Sequence, residues 1–71
     1  MMTRYHFILH GEASYEEPRG TVFTSDEGAV AHAARIAREL KAGHRSDSAG
    51  WVIEIVDGTR AVERIDFATV Q

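Results

Sequence analysis

His6 and His10 are four residues apart in a segment rich in aromatic and branched side chains. In a strand that spacing places both on one face, and a carboxylate such as Glu12 would complete three ligands of the types that zinc binds. The two histidines would be roughly 13 Å apart along an extended backbone, whereas zinc ligands lie about 2.0–2.2 Å from the metal. We therefore expect solvent-facing histidines and no metal ligand, and a small metal-dependent enzyme is the least favoured function.

A second set of reactive side chains comprises His32, His44, Ser46, Asp47 and Ser48. A serine and a histidine can act as nucleophile and base when a third group orients the base and an oxyanion site stabilises the transition state. No pattern in the sequence supplies those parts. We expect His32 on a solvated helix face, and the other four residues in the polar loop that follows the helix. The sequence therefore predicts no catalytic residue and no enzyme.

Glu12, Glu16 and Glu17 form an acidic cluster that invites comparison with a divalent-cation site. A calcium loop brings several oxygen ligands together around a glycine turn. The spacing of the three glutamates does not match that arrangement. We expect a solvated connecting segment and no cofactor.

Basic and aromatic residues on a sheet can bind single-stranded nucleic acid through phosphate contacts and base stacking. The residues that offer this chemistry are Arg4, Arg60 and Arg64, with Tyr5 and Trp51. The pattern assigns both aromatics to the core, and Glu54, Glu63 and Asp66 oppose the arginines. The chain has 8 basic and 11 acidic residues and a net charge of −3, although binding to nucleic acid gains most of its affinity from neutralised phosphates. The sequence predicts cross-strand charge pairs and no nucleic-acid partner.

The length of 71 residues predicts one domain over residues 1–71, with a thin core. The sequence has no cysteine, which excludes disulfides, thiolate metal sites and a cysteine nucleophile. No apolar stretch approaches the about 18 residues that span a membrane, and residues 1–10 lack the pattern of a signal peptide. We expect a cytoplasmic protein with no membrane partner.

The N-terminal half predicts strands. Residues 4–9 alternate so that Tyr5, Phe7 and Leu9 share a core face. Residues 13–17 are a candidate second strand pairing back on the first, which Pro18 would stop, and residues 20–23 add a few extended residues. Whether residues 13–17 form a true strand stays open at this point.

A helix follows, with Thr24 or Ser25 as its N-cap, and residues 24–27 fit a reciprocal capping box. Gly43 is placed where a left-handed residue often ends a helix. One face carries the apolar residues Ala29, Val30, Ala33, Ala34, Ile36, Ala37 and Leu40. The other face carries His32, Arg35, Arg38 and Glu39.

Residues 51–56 and 60–67 predict two further strands joined at Asp57-Gly58. A two-residue loop would place Val62 opposite Ile53. A three-residue loop of residues 56–58 is preferred, because it gathers on one face the residues Trp51, Ile53, Ile55, Ala61, Ile65 and Phe67. The predicted fold class is α+β, a small antiparallel sheet with one helix packed on one face in the order β-β-α-β-β.

Four segments in this order carry a resemblance. They are Arg4-Tyr5-His6-Phe7 with Leu9, the acidic stretch 16–20 ending in glycine, the alanine-rich helix 27–40, and Gly50-Trp51-Val52-Ile53-Glu54-Ile55 before an Asp-Gly turn. With them the chain resembles a family of short uncharacterised bacterial proteins, a domain-of-unknown-function family common in soil and plant-associated bacteria. The chain differs from that family's pattern at His6, where a second aromatic is usual, and at Ile8, where a histidine is often found. The resemblance implies the fold and no activity.

The far face of the sheet suggests a function. Val52, Val56 and Val62 lie on the face predicted to point away from the helix, and an open apolar face or an unpaired strand edge is suited to self-association or strand addition. We expect a non-enzymatic interaction domain, with a second copy or another protein as partner. An antitoxin-like regulatory protein linked to nucleic acid is the alternative, on fold analogy alone.

Overall fold

The computed structural model describes residues 2–16, 19–44 and 48–70 and has an α+β fold, as predicted. The elements in chain order are strand β1 (Thr3–His10), strand β2 (Ser14–Glu16), strand β3 (Thr21–Phe23), helix α1 (Asp26–Gly43), strand β4 (Val52–Asp57), strand β5 (Arg60–Asp66) and a short 3-10 helix (Phe67–Thr69). Three strands precede the helix where the predicted order has two. Thr21–Phe23, within the predicted extended stretch 20–23, form the additional strand.

Strand β1 organises the sheet, because it pairs with three other strands. The order is β2-β1-β4-β5, every pairing is antiparallel, and β3 pairs with β1 as well. Strand β3 pairs with the first part of β1, where Tyr5 lies opposite Thr21, and β2 pairs with its last part, where Leu9 lies opposite Tyr15. The predicted second strand is therefore a true strand of three residues, while Pro18 lies outside the described residues.

Helix α1 begins at a serine cap and ends at its glycine. Ser25 is the N-cap, and its Oγ accepts a hydrogen bond from the N–H of Gly28 at 3.2 Å. A reciprocal capping box also needs a side chain at the third helical position that accepts from the backbone N–H of the N-cap residue. That position is Gly28, which has no side chain, so the predicted capping box is wrong. Gly43 remains helical and lacks a positive φ. The predicted left-handed ending is also wrong, since the N–H of His44 closes the last turn on Leu40 and Lys41.

The core lies between α1 and the inner face of the sheet. Three alanines spaced four residues apart, Ala29, Ala33 and Ala37, are fully buried. Side chains this small let the helix approach the strands closely. They meet the buried residues Tyr5, Phe7, Ile53, Ile55 and Phe67, with Val30, Ile36 and Leu40 half-buried at the margins. The Lys41 ammonium donates to the carbonyls of Phe67 and Val70 at 3.0 and 2.7 Å and ties the 3-10 helix to α1.

The β4–β5 hairpin differs from both predicted registers. Asp57 pairs with Arg60, so the two-residue loop is Gly58-Thr59, and the φ of 60° at Gly58 fits a II′ turn. A register shift at Ile55/Val56 leaves one extra residue on β5, and Ile53 then faces Ile65.

This bulge changes which residues of β5 reach the core. Val62 packs against the core cluster, although it was predicted on the open face. Ala61, predicted in the core, is exposed opposite Val56. Ile65 and Phe67 lie with the core as predicted, because the extra residue restores the inward alternation beyond the bulge.

Candidate functional site

An apolar groove opens between α1 and the β1–β2 end of the sheet. Its volume is about 300 Å³, and it is lined by Phe7, Leu9, Tyr15, Ile36, Leu40 and Ile53. The Tyr15 hydroxyl is the one polar side-chain group in this lining. The groove is therefore suited to another apolar surface, since few directed polar contacts are available for a polar substrate.

The position of β2 explains why the groove is open. Helix α1 packs mainly over β4 and β5, and Tyr5 and Phe7 of β1 share the core beneath it. Strand β2 lies on the other side of β1 from these strands. Tyr15 is opposite Leu9, so its ring projects from the same inner face of the sheet. It is 64% exposed, because the helix does not extend over it. An aromatic side chain thus stands uncovered at the rim of the groove.

The outer face of the sheet, where an open apolar surface was predicted, carries polar side chains beside the half-buried Ile8. Val52 is buried and Val56 is half-buried. Glu54 lies between these two valines on β4. His10 contacts the Glu54 carboxylate through Nε2 at 3.0 Å and the Ser14 hydroxyl through Nδ1 at 3.2 Å. With Val62 in the core, this face offers less apolar surface than the sequence predicted.

The two outermost strands are poorly suited to strand addition. Strand β5 carries the charged residues Arg60, Glu63, Arg64 and Asp66, and it contains the bulge. Strand β2 has three residues. Charge, a bulge and short length are the means by which proteins protect sheet edges from pairing with other chains. The groove is therefore the better candidate for contact with a partner.

The candidate metal residues do not converge. His6 and His10 share the outer face, as predicted, but His10 is engaged by Glu54 and Ser14. Glu12 and Glu16 are exposed, and Glu17 lies outside the described residues. Within residues 2–16, 19–44 and 48–70, no three histidine or acidic side chains are grouped so that they would hold a metal ion.

The second pair of histidines is also separated. His32, predicted on a solvated helix face, is half-buried, and its ring lies 5.3 Å from that of Phe7 and 5.2 Å from that of Phe23. The ring of His44 lies 5.4 Å from that of Trp51 at a tilt of 40°. His44 is twelve residues after His32, which corresponds to about 18 Å along the helix axis. Ser46 and Asp47 lie outside the described residues. Ser48 is fully buried, and its Oγ has no partner among the residues described.

Arg60 forms the strongest polar cluster in the described chain. Its guanidinium donates to both carboxylate oxygens of Asp26 and to Asp57, each at 3.0 Å, and the Tyr5 hydroxyl donates to Asp26 at 2.6 Å. These donors lower the pKa of Asp26 to about 2. The same hydrogen bond to the carboxylate raises the pKa of the Tyr5 hydroxyl, with burial adding to the effect. The cluster joins the start of α1 to β1 and to the β4–β5 turn.

The basic and aromatic residues considered for nucleic acid are divided among different surroundings. Tyr5 is buried, as predicted, and Trp51 is half-buried against Phe67 at 5.7 Å. Arg4 donates to the backbone carbonyl of Arg19 at 2.7 Å. Arg64 lies opposite Glu54, as a cross-strand charge pair requires, although Glu54 bonds to His10 instead.

Sequence reasoning missed the groove and the Asp26–Arg60 cluster. Tyr15 was assigned only to a second strand. Its position between the polar residues Ser14 and Glu16 was the signal that would have placed it on the face opposite to theirs. For the cluster no signal was available, since Tyr5 and Arg60 are separated from Asp26 by 21 and 34 residues.

In the described part of the chain, no helix has both the length and the apolarity needed to cross a membrane. Comparisons with curated proteins and with solved structures gave no match. A family model described as a domain of unknown function (DUF6894) matches residues 4–68, which include every strand partner of β1 and the whole helix. The chain therefore belongs to the DUF6894 family.

Proposed function

We propose that this protein is a non-enzymatic interaction domain that associates with a second copy of itself through the apolar groove. The observation that carries the proposal is the exposed ring of Tyr15 beside a hollow of about 300 Å³ with apolar walls. Each copy then offers both an aromatic side chain that projects and an apolar space that receives one. That combination is what a two-fold symmetric interface requires, because the same patch must be complementary to itself.

The energetics favour this use of the surface. An aromatic side chain removes about 150–250 Å² from water when it is fully buried. A chain of 71 residues buries a smaller share of its surface on its own than a larger domain does. The wall residues Ile36 and Leu40 are half-buried, so a partner would complete their burial. The area that one aromatic side chain from each copy would bury is small compared with the about 1,200–2,000 Å² of a standard interface. We therefore expect a dissociation constant of roughly 1–100 µM.

The non-enzymatic part of the proposal rests on the polar side chains. His10 is held by Glu54 and Ser14, and His32 lies between two phenylalanine rings. Asp26, the carboxylate with the lowered pKa, is saturated by Tyr5 and Arg60. These groups have contacts that explain their positions without a substrate.

The experiment is sedimentation velocity of the purified protein from about 1 to about 500 µM, since self-association rises with concentration by mass action. We expect the sedimentation coefficient to rise toward that of a dimer, and Tyr15→Ser to remain monomeric throughout. Glu16→Ser is the matched control, because Glu16 is the next residue of β2 and projects from the opposite face. A wild-type protein that stays monomeric, or a Tyr15→Ser variant that dimerises normally, would refute the proposal.

Native mass spectrometry of protein purified gently from its own cells tests the choice of partner. Masses that are multiples of the 7.9 kDa chain support self-association. A complex with a different protein, lost in Tyr15→Ser, would assign the groove to that partner and contradict the second copy.

A further inference from the structure

A second hollow lies on the solvent side of α1, away from the groove. Its volume is about 340 Å³, and its lining residues are Phe23, Gly28, Ala31, His32, Arg35 and Arg38. Nothing in the proposed self-association uses these residues. Aromatic rings and cationic groups meet at this point of the surface.

The basic residues of the hollow follow one ridge of the helix. His32, Arg35 and Arg38 are each three residues apart, and side chains at that spacing are neighbours on a helix surface. Both arginines are exposed, and within the described residues neither has a salt bridge or a side-chain hydrogen bond. Glu39 is the nearest acidic residue in sequence and is not part of the lining. The two guanidinium groups are thus available to an anion.

The ring side of the hollow is held in place by packing. The rings of Phe23 and His32 lie 5.2 Å apart, and each contacts Phe7 in the core, at 6.3 and 5.3 Å. Phe23 also contacts Tyr5 at 6.1 Å. Gly28 and Ala31 contribute little side-chain volume to the lining, which leaves space beside the rings. A planar ligand would find an ordered aromatic surface there.

From this juxtaposition we propose that the hollow binds a small ligand carrying both a phosphate and a planar ring, as a nucleoside monophosphate does. Guanidinium groups match phosphate oxygens in geometry and charge, and planar bases stack on aromatic side chains. A small ligand fits better than a polymer, because the chain's net charge of −3 opposes a long polyanion while the local ridge is basic.

The probe is adenosine 5′-monophosphate, which is titrated into ¹⁵N-labelled protein while the amide shifts are recorded by NMR. Adenosine and inorganic phosphate, the two parts of the probe, are titrated separately for comparison. We expect saturable shifts centred on residues 23–38 and at least about tenfold weaker binding of either half. Arg35→Gln combined with Arg38→Gln should weaken binding at least about tenfold. Arg64→Gln on β5, also an exposed arginine, should leave it unchanged.

The inference is overturned if no saturable shift occurs up to about 10 mM, or if the double variant binds as well as wild type. Binding by Tyr15→Ser equal to that of wild type is expected, because the hollow and the groove share no lining residue. Loss of binding in Tyr15→Ser would contradict an independent site. Circular dichroism of each variant verifies that the helix is intact.

Discussion

At the scale of single residues, the cluster around Asp26 concentrates the most directed contacts. Its carboxylate accepts from the Tyr5 hydroxyl and from two guanidinium nitrogens of Arg60, and Asp57 accepts a further bond from Arg60. Hydrogen bonds to ionised groups are stronger than neutral ones. The cluster therefore makes the attachment of the helix start to the sheet depend on the charge of one side chain.

We predict a specific pH dependence from Asp26. Its pKa of about 2 in the folded protein is below the ordinary value of 3.8, so the folded state binds fewer protons than the unfolded state between these values. The stability contributed by the ionised carboxylate is present above about pH 4 and is lost as the pH falls through 2. Thermal unfolding followed by circular dichroism from pH 7 to pH 2 measures this loss.

The variant Asp26→Asn isolates that contribution. It should unfold at a lower temperature than wild type at pH 7 and show a smaller further decrease between about pH 4 and 2. Glu12→Gln, at an exposed carboxylate, is the control and should follow the wild-type curve. An Asp26→Asn curve parallel to wild type over this range would show that the carboxylate is not stabilised by its donors.

Gly58 supports a second prediction at this scale. Its φ of 60° lies in the left-handed region, and an added Cβ would meet no atom within 4 Å, so any effect of Gly58→Ala reports backbone strain. We expect a loss of about 1–2 kcal/mol in the free energy of unfolding, measured by urea denaturation. Gly43→Ala, also in open space but without a positive φ, should instead gain up to about 1 kcal/mol. Equal effects at the two glycines would rule out strain at the turn.

At the scale of elements, the alanine stripe fixes how closely α1 approaches the sheet. We predict that Ala33→Leu lowers the free energy of unfolding by about 1–3 kcal/mol, since the added side chain has no space in a closely packed contact. Ala42→Leu, on the exposed side of the same helix, should change it by less than about 0.5 kcal/mol. Urea denaturation monitored by circular dichroism provides both values. A neutral Ala33→Leu would indicate a looser contact than the structure shows.

The elements differ in how far the sequence predicts them. The helix could be placed within a residue at its start, because a serine cap and apolar residues at helical spacing are local signals. The register of the β4–β5 hairpin could not be predicted in the same way. The bulge accompanies the packing of Val62 into the core, and the turn residues give no sign of that contact. Residues 21–23 were predicted to be extended but not to form a separate strand. They form one by pairing with β1, which is distant in sequence.

The functional surfaces were the hardest to predict. Each depends on residues that come together from separate elements: Tyr15 with Leu40 at the groove, and Phe23 with Arg38 at the hollow. Sequence reasoning identified the family, yet it placed Val62 on the outer face of the sheet and Ala61 in the core.

At the scale of the whole molecule, one helix and one sheet form two layers, with extents of 39 × 22 × 17 Å. In such a thin molecule little core lies far from the surface. The groove is therefore lined by Phe7 of the core, and the second hollow by Phe23, which packs against the core. A ligand or partner that covers either hollow should raise the unfolding temperature, because it binds the folded state preferentially.

The central place of β1 also has a consequence for biosynthesis. Phe7 lies opposite Ile55 on β4, 48 residues later in the chain. At about 5–20 residues per second, a ribosome needs roughly 2–10 s to add those residues. During that interval the newly made β1 can pair only with the short β2 and β3, and α1 is not yet held by its contacts with β4. Tyr5 and Phe7 are then less completely covered than in the folded protein and are accessible to chaperones and to neighbouring nascent chains. Aggregation during overexpression should therefore begin at the first strand made.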